Sequence, residues 1–351
     1  MQARVTGAFP ERAAQGEAAP PAGAAKTLWK RWGTTGITVA SLVLAGYLLH
    51  RTFSQYSWEE LWAAVLSVPM EHLLLACLFS AASYLSLTWF DWLGIRYAGR
   101  RLPYPKVALA SFLGLSIGHT LGLAALSSGM IRYRFYRRWG LSNEEVAKII
   151  LLCGVTVGVG LIALGGAGLL LRPDLGERIT GMSHGSMLAM GAGGILLTIV
   201  YVVLSATLRA PLRIYHWSFQ MPTLKVALGQ VAAGTVNFIL VAACLHQTLL
   251  PFSDMPFLGV AAIFIIANTT TMISNVPGGL GVIESVVLFL MPGDQIIGGL
   301  IAFRCIYFFL PLLIGGLVFA ITELRIRAKD RRAAGSDAPP LRMAMAGKAS
   351  G

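Results

Sequence analysis

Residues 273–284 read ISNVPGGLGVIE, a proline and three glycines set inside an apolar run that begins at Pro256 and resumes over Ser285–Met291. Lipid tolerates broken backbone only where protein or a water-filled cavity covers the freed N–H and C=O groups. The stretch therefore predicts a discontinuous membrane element: a long arm into the bilayer, a glycine elbow, and a short helix from Val282. The free N–H groups and positive dipole end of that helix point back at the elbow, which suits an anionic group. Glu284 falls in its first turn, where the dipole also favours a carboxylate. It reads either as a capping acid in a packed kink or as part of a substrate or ion site at mid-membrane depth. Ionisable residues at that depth cost roughly 2.5–3.5 kcal/mol on insertion scales, which is the argument for function.

The rest of the chain agrees with a membrane setting. Hydrophobic residues make up 56% and charged residues 13%, and several apolar runs are long enough to cross a bilayer. The net charge of +12 does not imply nucleic acid, because the basic residues lie in short loops beside hydrophobic spans. Cys77, Cys153, Cys244 and Cys305 stand singly, without metal or redox spacing, and are expected to be packing residues rather than disulfides.

Six full spans are expected, at 34–50, 72–90, 146–171, 187–207, 226–250 and 296–322, with an interfacial helix at 55–68. Ser142 and Glu145 form a capping box ahead of the third span. The segment 107–128 is apolar but interrupted by serine, glycine and His119, and a basic cluster, Arg132, Arg134, Arg137 and Arg138, follows it. A re-entrant hairpin over 107–136 keeps that cluster on the cytoplasmic side. The segment 256–291 makes a second hairpin from the outside. With both termini inside, 24 of the 28 Lys and Arg residues fall on the cytoplasmic side. Reading the hairpins as full crossings is the main rival.

The fold class expected is thus an all-α polytopic membrane protein of about six spans plus two re-entrant broken helices, arranged as an inverted repeat. Residues 1–32 are expected as a disordered cytoplasmic tail, 33–322 as the membrane domain with inverted halves 72–171 and 226–322, and 323–351 as a basic cytoplasmic tail. A shift of 150 residues sets Thr120 on Thr270, Gly129 on Gly279 and Arg134 on Glu284. Paired broken segments in inverted halves are the pattern of a transporter whose site lies where they meet.

The stretches SGMIRYRFYRRWGLS (128–142) and ISNVPGGLGVIE resemble the two signature stretches of the lysylphosphatidylglycerol synthase transmembrane-region family. That family includes the amino-terminal flippase domain of MprF proteins and stand-alone YbhN-like membrane proteins. Glu284 fills the family's acidic position after the elbow, and Arg132 and Arg134 match its RYR pair. This chain has Ser-Ser-Gly where relatives often have Gly-Gly before that pair, which implies a less open first elbow. The resemblance implies movement of a lipid between leaflets, with an aminoacylated phospholipid as the MprF substrate. About 29 residues follow the last span, too few for a synthase domain, so synthesis of lysyl lipid is not expected.

The candidate substrate-binding residues are Arg132, Arg134, Asn275, Pro277, Gly278, Gly279, Gly281, Glu284, Arg304 and His119. Guanidinium groups take phosphate bidentately, whereas the same arginines in a loop can serve topology alone. Arg304, inside the final span, reads as an intramembrane partner for Glu284. His119 stands as a candidate beside its reading as a satisfied interior histidine. No metal cluster, HExxH, nucleophile elbow or ATP-binding motif is present, so neither a cofactor, a metal nor an enzyme is expected. The expected partners are membrane lipids, an anionic or aminoacylated phospholipid, with a lipid-modifying enzyme or a second copy of the chain as further partners. The main rival to transport is a non-transporting accessory protein of cardiolipin, hopanoid or aminoacyl-lipid metabolism.

Overall fold

The computed structural model describes residues 58–118, 124–208, 212–214, 217–274, 279–293 and 296–336. The expected span at 34–50, the amino-terminal tail, His119, Asn275, Pro277 and Gly278 lie outside the described residues. Among the described residues twelve α-helices follow in order: α1 (Trp58–Ser67), α2 (Met70–Tyr97), α3 (Tyr104–Gly118), α4 (Ala124–Arg138), α5 (Asn143–Leu171), α6 (Pro173–Thr180), α7 (His184–Thr207), α8 (Leu224–Leu249), α9 (Phe257–Ser274), α10 (Val282–Leu290), α11 (Ile296–Arg304) and α12 (Leu310–Ser336). A short antiparallel ribbon, Leu212–Ile214 with Trp217–Phe219, lies between α7 and α8 where only a loop is expected from the sequence.

Local chemistry sets most boundaries. Pro69 ends α1 and precedes α2; Gly140, at φ 89°, turns the chain out of α4. The capping box is present: Glu145 N–H donates to Ser142 Oγ at 3.2 Å and Ser142 N–H to Glu145 Oε2 at 2.7 Å. The last helix continues to Ser336, so the boundary expected at 322 falls inside it.

Among the described residues, six helical segments are long and apolar enough to cross a membrane: 70–97, 143–171, 184–207, 224–252, 257–274 and 296–326. Five coincide with expected spans. The other, α9, is the first arm of the second broken element.

The two halves pack in the same order. α2 and α8, the opening helices of each half, form the central pair. Asn237 Oδ1 joins them by accepting from Ser83 Oγ at 2.7 Å and Ser86 Oγ at 3.1 Å. The first hairpin, α3–α4, packs on its own half and on α12 of the other. The second, α9–α10, packs on α8 and on α5 of the first half. Each hairpin is thus held partly by the opposite half.

Close backbone approach makes this possible where α5 crosses α8. A Cβ on Gly160 would stand 2.5 Å from the Gly234 carbonyl carbon, and one on Gly234 would stand 2.6 Å from Thr156 O. Gly166 and Gly191 make a similar crossing of α5 with α7, whereas Gly154, Gly158 and Gly168 have no atom within 4 Å of the added Cβ. Only part of the glycine-rich stretch is therefore a packing device. Gly234→Val should split α5 from α8 and lower thermal stability by about 3 kcal/mol or more, since overpacking acts here on backbone. Gly158→Ala should stay within about 1 kcal/mol of wild type. Equal melting temperatures for the two variants in detergent would refute this packing.

Between α11 and α12 the helix widens into a π turn, Cys305–Phe309. Leu310 N–H bonds to Cys305 O, and Pro311 brings no N–H, so the carbonyls of Ile306 and Tyr307 lose their helical donors. Both are satisfied from α2: Ser80 Oγ donates to Ile306 O and Tyr84 Oη to Tyr307 O, each at 3.3 Å. The α2 hydroxyls thereby fix the stretch that follows Arg304.

Candidate functional site

The break between α9 and α10 ends in two left-handed glycines, Gly279 at φ 59° and Gly281 at φ 78°. Gly281 caps α10, and its N–H donates to Glu284 Oε2 at 3.0 Å. Arg304, the last residue of α11, reaches the same carboxylate. Its Nε donates to Glu284 Oε1 and its Nη2 to Oε2 at 2.7 Å. The same Nη2 donates to Gly279 O at 2.8 Å. The Arg304 side chain is 3% exposed and that of Glu284 17%. The pairing expected from the sequence is therefore present, and it ties the elbow to the final helix.

Gly279 has the positive φ that suits a glycine in the elbow and is also closely packed. A Cβ there would meet Thr271 Cγ2 at 2.8 Å and Ile283 Cδ1 at 3.2 Å, so its missing side chain makes room for protein as well as for a turn. Gly281 has no neighbour within 4 Å of an added Cβ and is the open position of the elbow.

The first hairpin carries a second buried pair. Arg132 donates from Nε to Asp91 Oδ1 and from Nη2 to Asp91 Oδ2, each at 2.8 Å, and Tyr136 Oη donates to Oδ1 at 2.7 Å. The side chains are 4% and 0% exposed. Arg132, read from the sequence either as a head-group contact or as a topology residue, has its fork filled by a carboxylate of α2 and braces the hairpin. Asp91 escapes the sequence reading because a span drawn to Phe90 leaves it in the next loop. The signal was available: WFDWLGI keeps the run apolar on both sides of that acid.

Arg134 donates from Nη2 to Glu323 Oε1 at 2.6 Å, joining α4 to α12. It is the half-exposed member of the arginine pair, and Glu323 is largely buried. Glu323 too falls outside a span drawn to 322. Of the candidates, the structure unites Glu284, Arg304, Gly279 and Gly281 at the elbow and puts Arg132 and Arg134 in separate pairs on the first hairpin.

At the far end of α10, a cavity of about 520 Å³ opens between Phe252, Ser253 and Met255 and the turn Leu290 to Gly293. Nine helical residues, roughly 13 Å, separate it from the elbow. Away from the outer membrane-spanning faces, Arg172 forks onto Asp174 at 2.9 and 2.8 Å and holds that carboxyl below its usual range. No group of three or more potential metal ligands occurs among the described residues.

Large apolar side chains cover the outside of the bundle: Leu196, Leu197, Ile199 and Val203 on α7, and Leu313, Leu317 and Leu324 on α12, are all more than 40% exposed. Arg132 with Asp91 and Arg304 with Glu284 are meanwhile turned inward and paired. Apolar outside and ion-paired inside defines a multi-pass membrane protein. The chain belongs to the family described as the lysylphosphatidylglycerol synthase TM region, whose pattern matches residues 37–315. It is a membrane protein linked by family to lipid metabolism. It is 30% identical over 294 residues to the uncharacterized protein slr0712 of Synechocystis sp., covering 83% of this chain and 91% of that one. It is 28% identical over 289 residues to the inner membrane protein YbhN of Escherichia coli, covering 79% and 89%.

Proposed function

We propose that the chain is a lipid transporter of the flippase type, moving a phospholipid between the leaflets of a bacterial inner membrane without modifying it covalently. The observation that carries the reading is the Glu284–Arg304 pair at the glycine elbow of a broken membrane helix. A bidentate guanidinium, a left-handed glycine and a helix amino terminus, here held by Glu284, are the groups that take a phosphate. Acyl chains stay in the bilayer while the head group passes the elbow, and the cavity beyond α10 receives it on the outer side. The inner-membrane assignment draws on the name of YbhN, and the termini lie inside by the distribution of Lys and Arg.

In this reading both hairpins are re-entrant and the halves are inverted. Arg138 and Gly293 are exposed, and a Cβ at Gly293 would make only ordinary contacts at 3.6 Å. Arg138→Cys should therefore react with an impermeant maleimide from the cytoplasmic side only, and Gly293→Cys from the outside only. Labelling of both from one side would refute the inverted arrangement.

Transport itself is tested by reconstitution in liposomes with acyl-labelled fluorescent glycerophospholipids. The wild-type protein should raise the fraction of label quenched by dithionite from about half to nearly all. A plateau equal to that of empty liposomes, with folded protein, would contradict the reading. One observation favours the accessory-protein alternative. Arg132 is spent on Asp91, so the first hairpin brings a tied strut where a second head-group contact was expected.

A further inference from the structure

We infer that the elbow selects a zwitterionic phospholipid of zero net charge, its phosphate and ammonium exchanging partners with Glu284 and Arg304. The inference rests on the transport reading and names the substrate class of that same site. Its starting point is that the Glu284 carboxylate now occupies the donors a phosphate would use. Two come from Arg304, through Nε and Nη2, and the third is the Gly281 N–H. A head group that takes those donors has to displace the carboxylate, which then needs a cation of its own.

Charge balance decides which lipid can do this. The pair is neutral as a unit, and Arg304 is nearly fully buried. Of the two candidate arginines on the first hairpin, Arg132 is paired with Asp91 and Arg134 with Glu323. No surplus positive charge at these pairs awaits a lipid phosphate. An anionic head group entering here leaves the carboxylate without a partner, and a net cationic one leaves an extra ammonium. Either leaves an unbalanced charge beside a side chain that is 3% exposed, which disfavours that head group. A head group with one phosphate and one ammonium satisfies both side chains. Its phosphate takes Arg304 and the Gly281 N–H, its ammonium takes Glu284, and the net charge does not change.

The ranking of head groups follows. In the dithionite assay, initial rates for the wild type should be at least tenfold higher with labelled phosphatidylethanolamine than with phosphatidylglycerol or a lysyl-ester lipid of net charge +1. Glu284→Gln removes the carboxylate that balances Arg304 and should reverse the order, with phosphatidylglycerol now fastest. Because that variant loses a buried partner, its melting temperature is read first, with each lipid added. Phosphatidylglycerol should raise it more than phosphatidylethanolamine does, the opposite of the wild type. Wild-type rates that do not differ among the three lipids would overturn the inference and leave transport standing, whatever the variant does. Failure of every lipid to move would overturn the transport reading and the inference with it.

Discussion

Replacing Asp91 with alanine should lower the stability of the protein by about 3–5 kcal/mol, the largest effect expected of any single substitution in the first half. The carboxylate is fully buried and holds both Arg132 nitrogens and the Tyr136 hydroxyl. Without it, a guanidinium remains inside the bundle with no carboxylate to face. Asp91→Asn should cost nearly as much, because the shape survives and the charge does not. Tyr136→Phe removes one hydrogen bond to a charged group and should cost about 1.5–3 kcal/mol. The decisive variant is Asp91→Leu with Arg132→Met, which removes both charges and should recover most of the loss. Thermal melting in detergent measures all four. A double variant no more stable than Asp91→Ala would mean that the two residues do not act as a pair.

The second large effect is expected at the elbow. Arg304→Met alone removes the guanidinium from the Glu284 carboxylate, and Glu284→Gln alone removes the counter-charge of a guanidinium that is 3% exposed. Each should cost about 3–5 kcal/mol. Glu284→Gln combined with Arg304→Met should be close to wild type, since the glutamine amide oxygen still accepts the Gly281 N–H that caps α10. Gly279→Val is a poor probe of the same site. It forces a β-branched residue to positive φ and into Thr271 and Ile283, so lost transport there would report lost packing.

How much of this was legible in the sequence follows from the range of each interaction. The capping box at Ser142 is local, and four residues suffice to read it. The elbow is legible because proline and glycine in an apolar run have few other meanings in lipid. Even the Glu284–Arg304 pair could be read across twenty residues, since a charge in a membrane span has to find a partner. Asp91 and Glu323 are lost to span boundaries at 90 and 322, each drawn one residue short of the acid, while the helices run on to Tyr97 and Ser336. An acid placed in a loop is taken as solvated, so Arg132 and Arg134 were left looking free for a lipid. The π turn depends on hydroxyls of α2 more than two hundred residues away, although Pro311 marks in the sequence where donors run short. Among the glycines, nothing in the spacing separates Gly160, which touches Gly234, from Gly158, which touches nothing.

Stability and transport can be separated at the elbow, and that separation tests the central claim most directly. The variant Glu284→Gln with Arg304→Met should melt near the wild type yet lack both charges that a head group would meet. Reconstituted with fluorescent phosphatidylethanolamine, it should show dithionite kinetics equal to those of empty liposomes, while the wild type moves the lipid. Wild-type transport rates in this folded, uncharged variant would contradict the account.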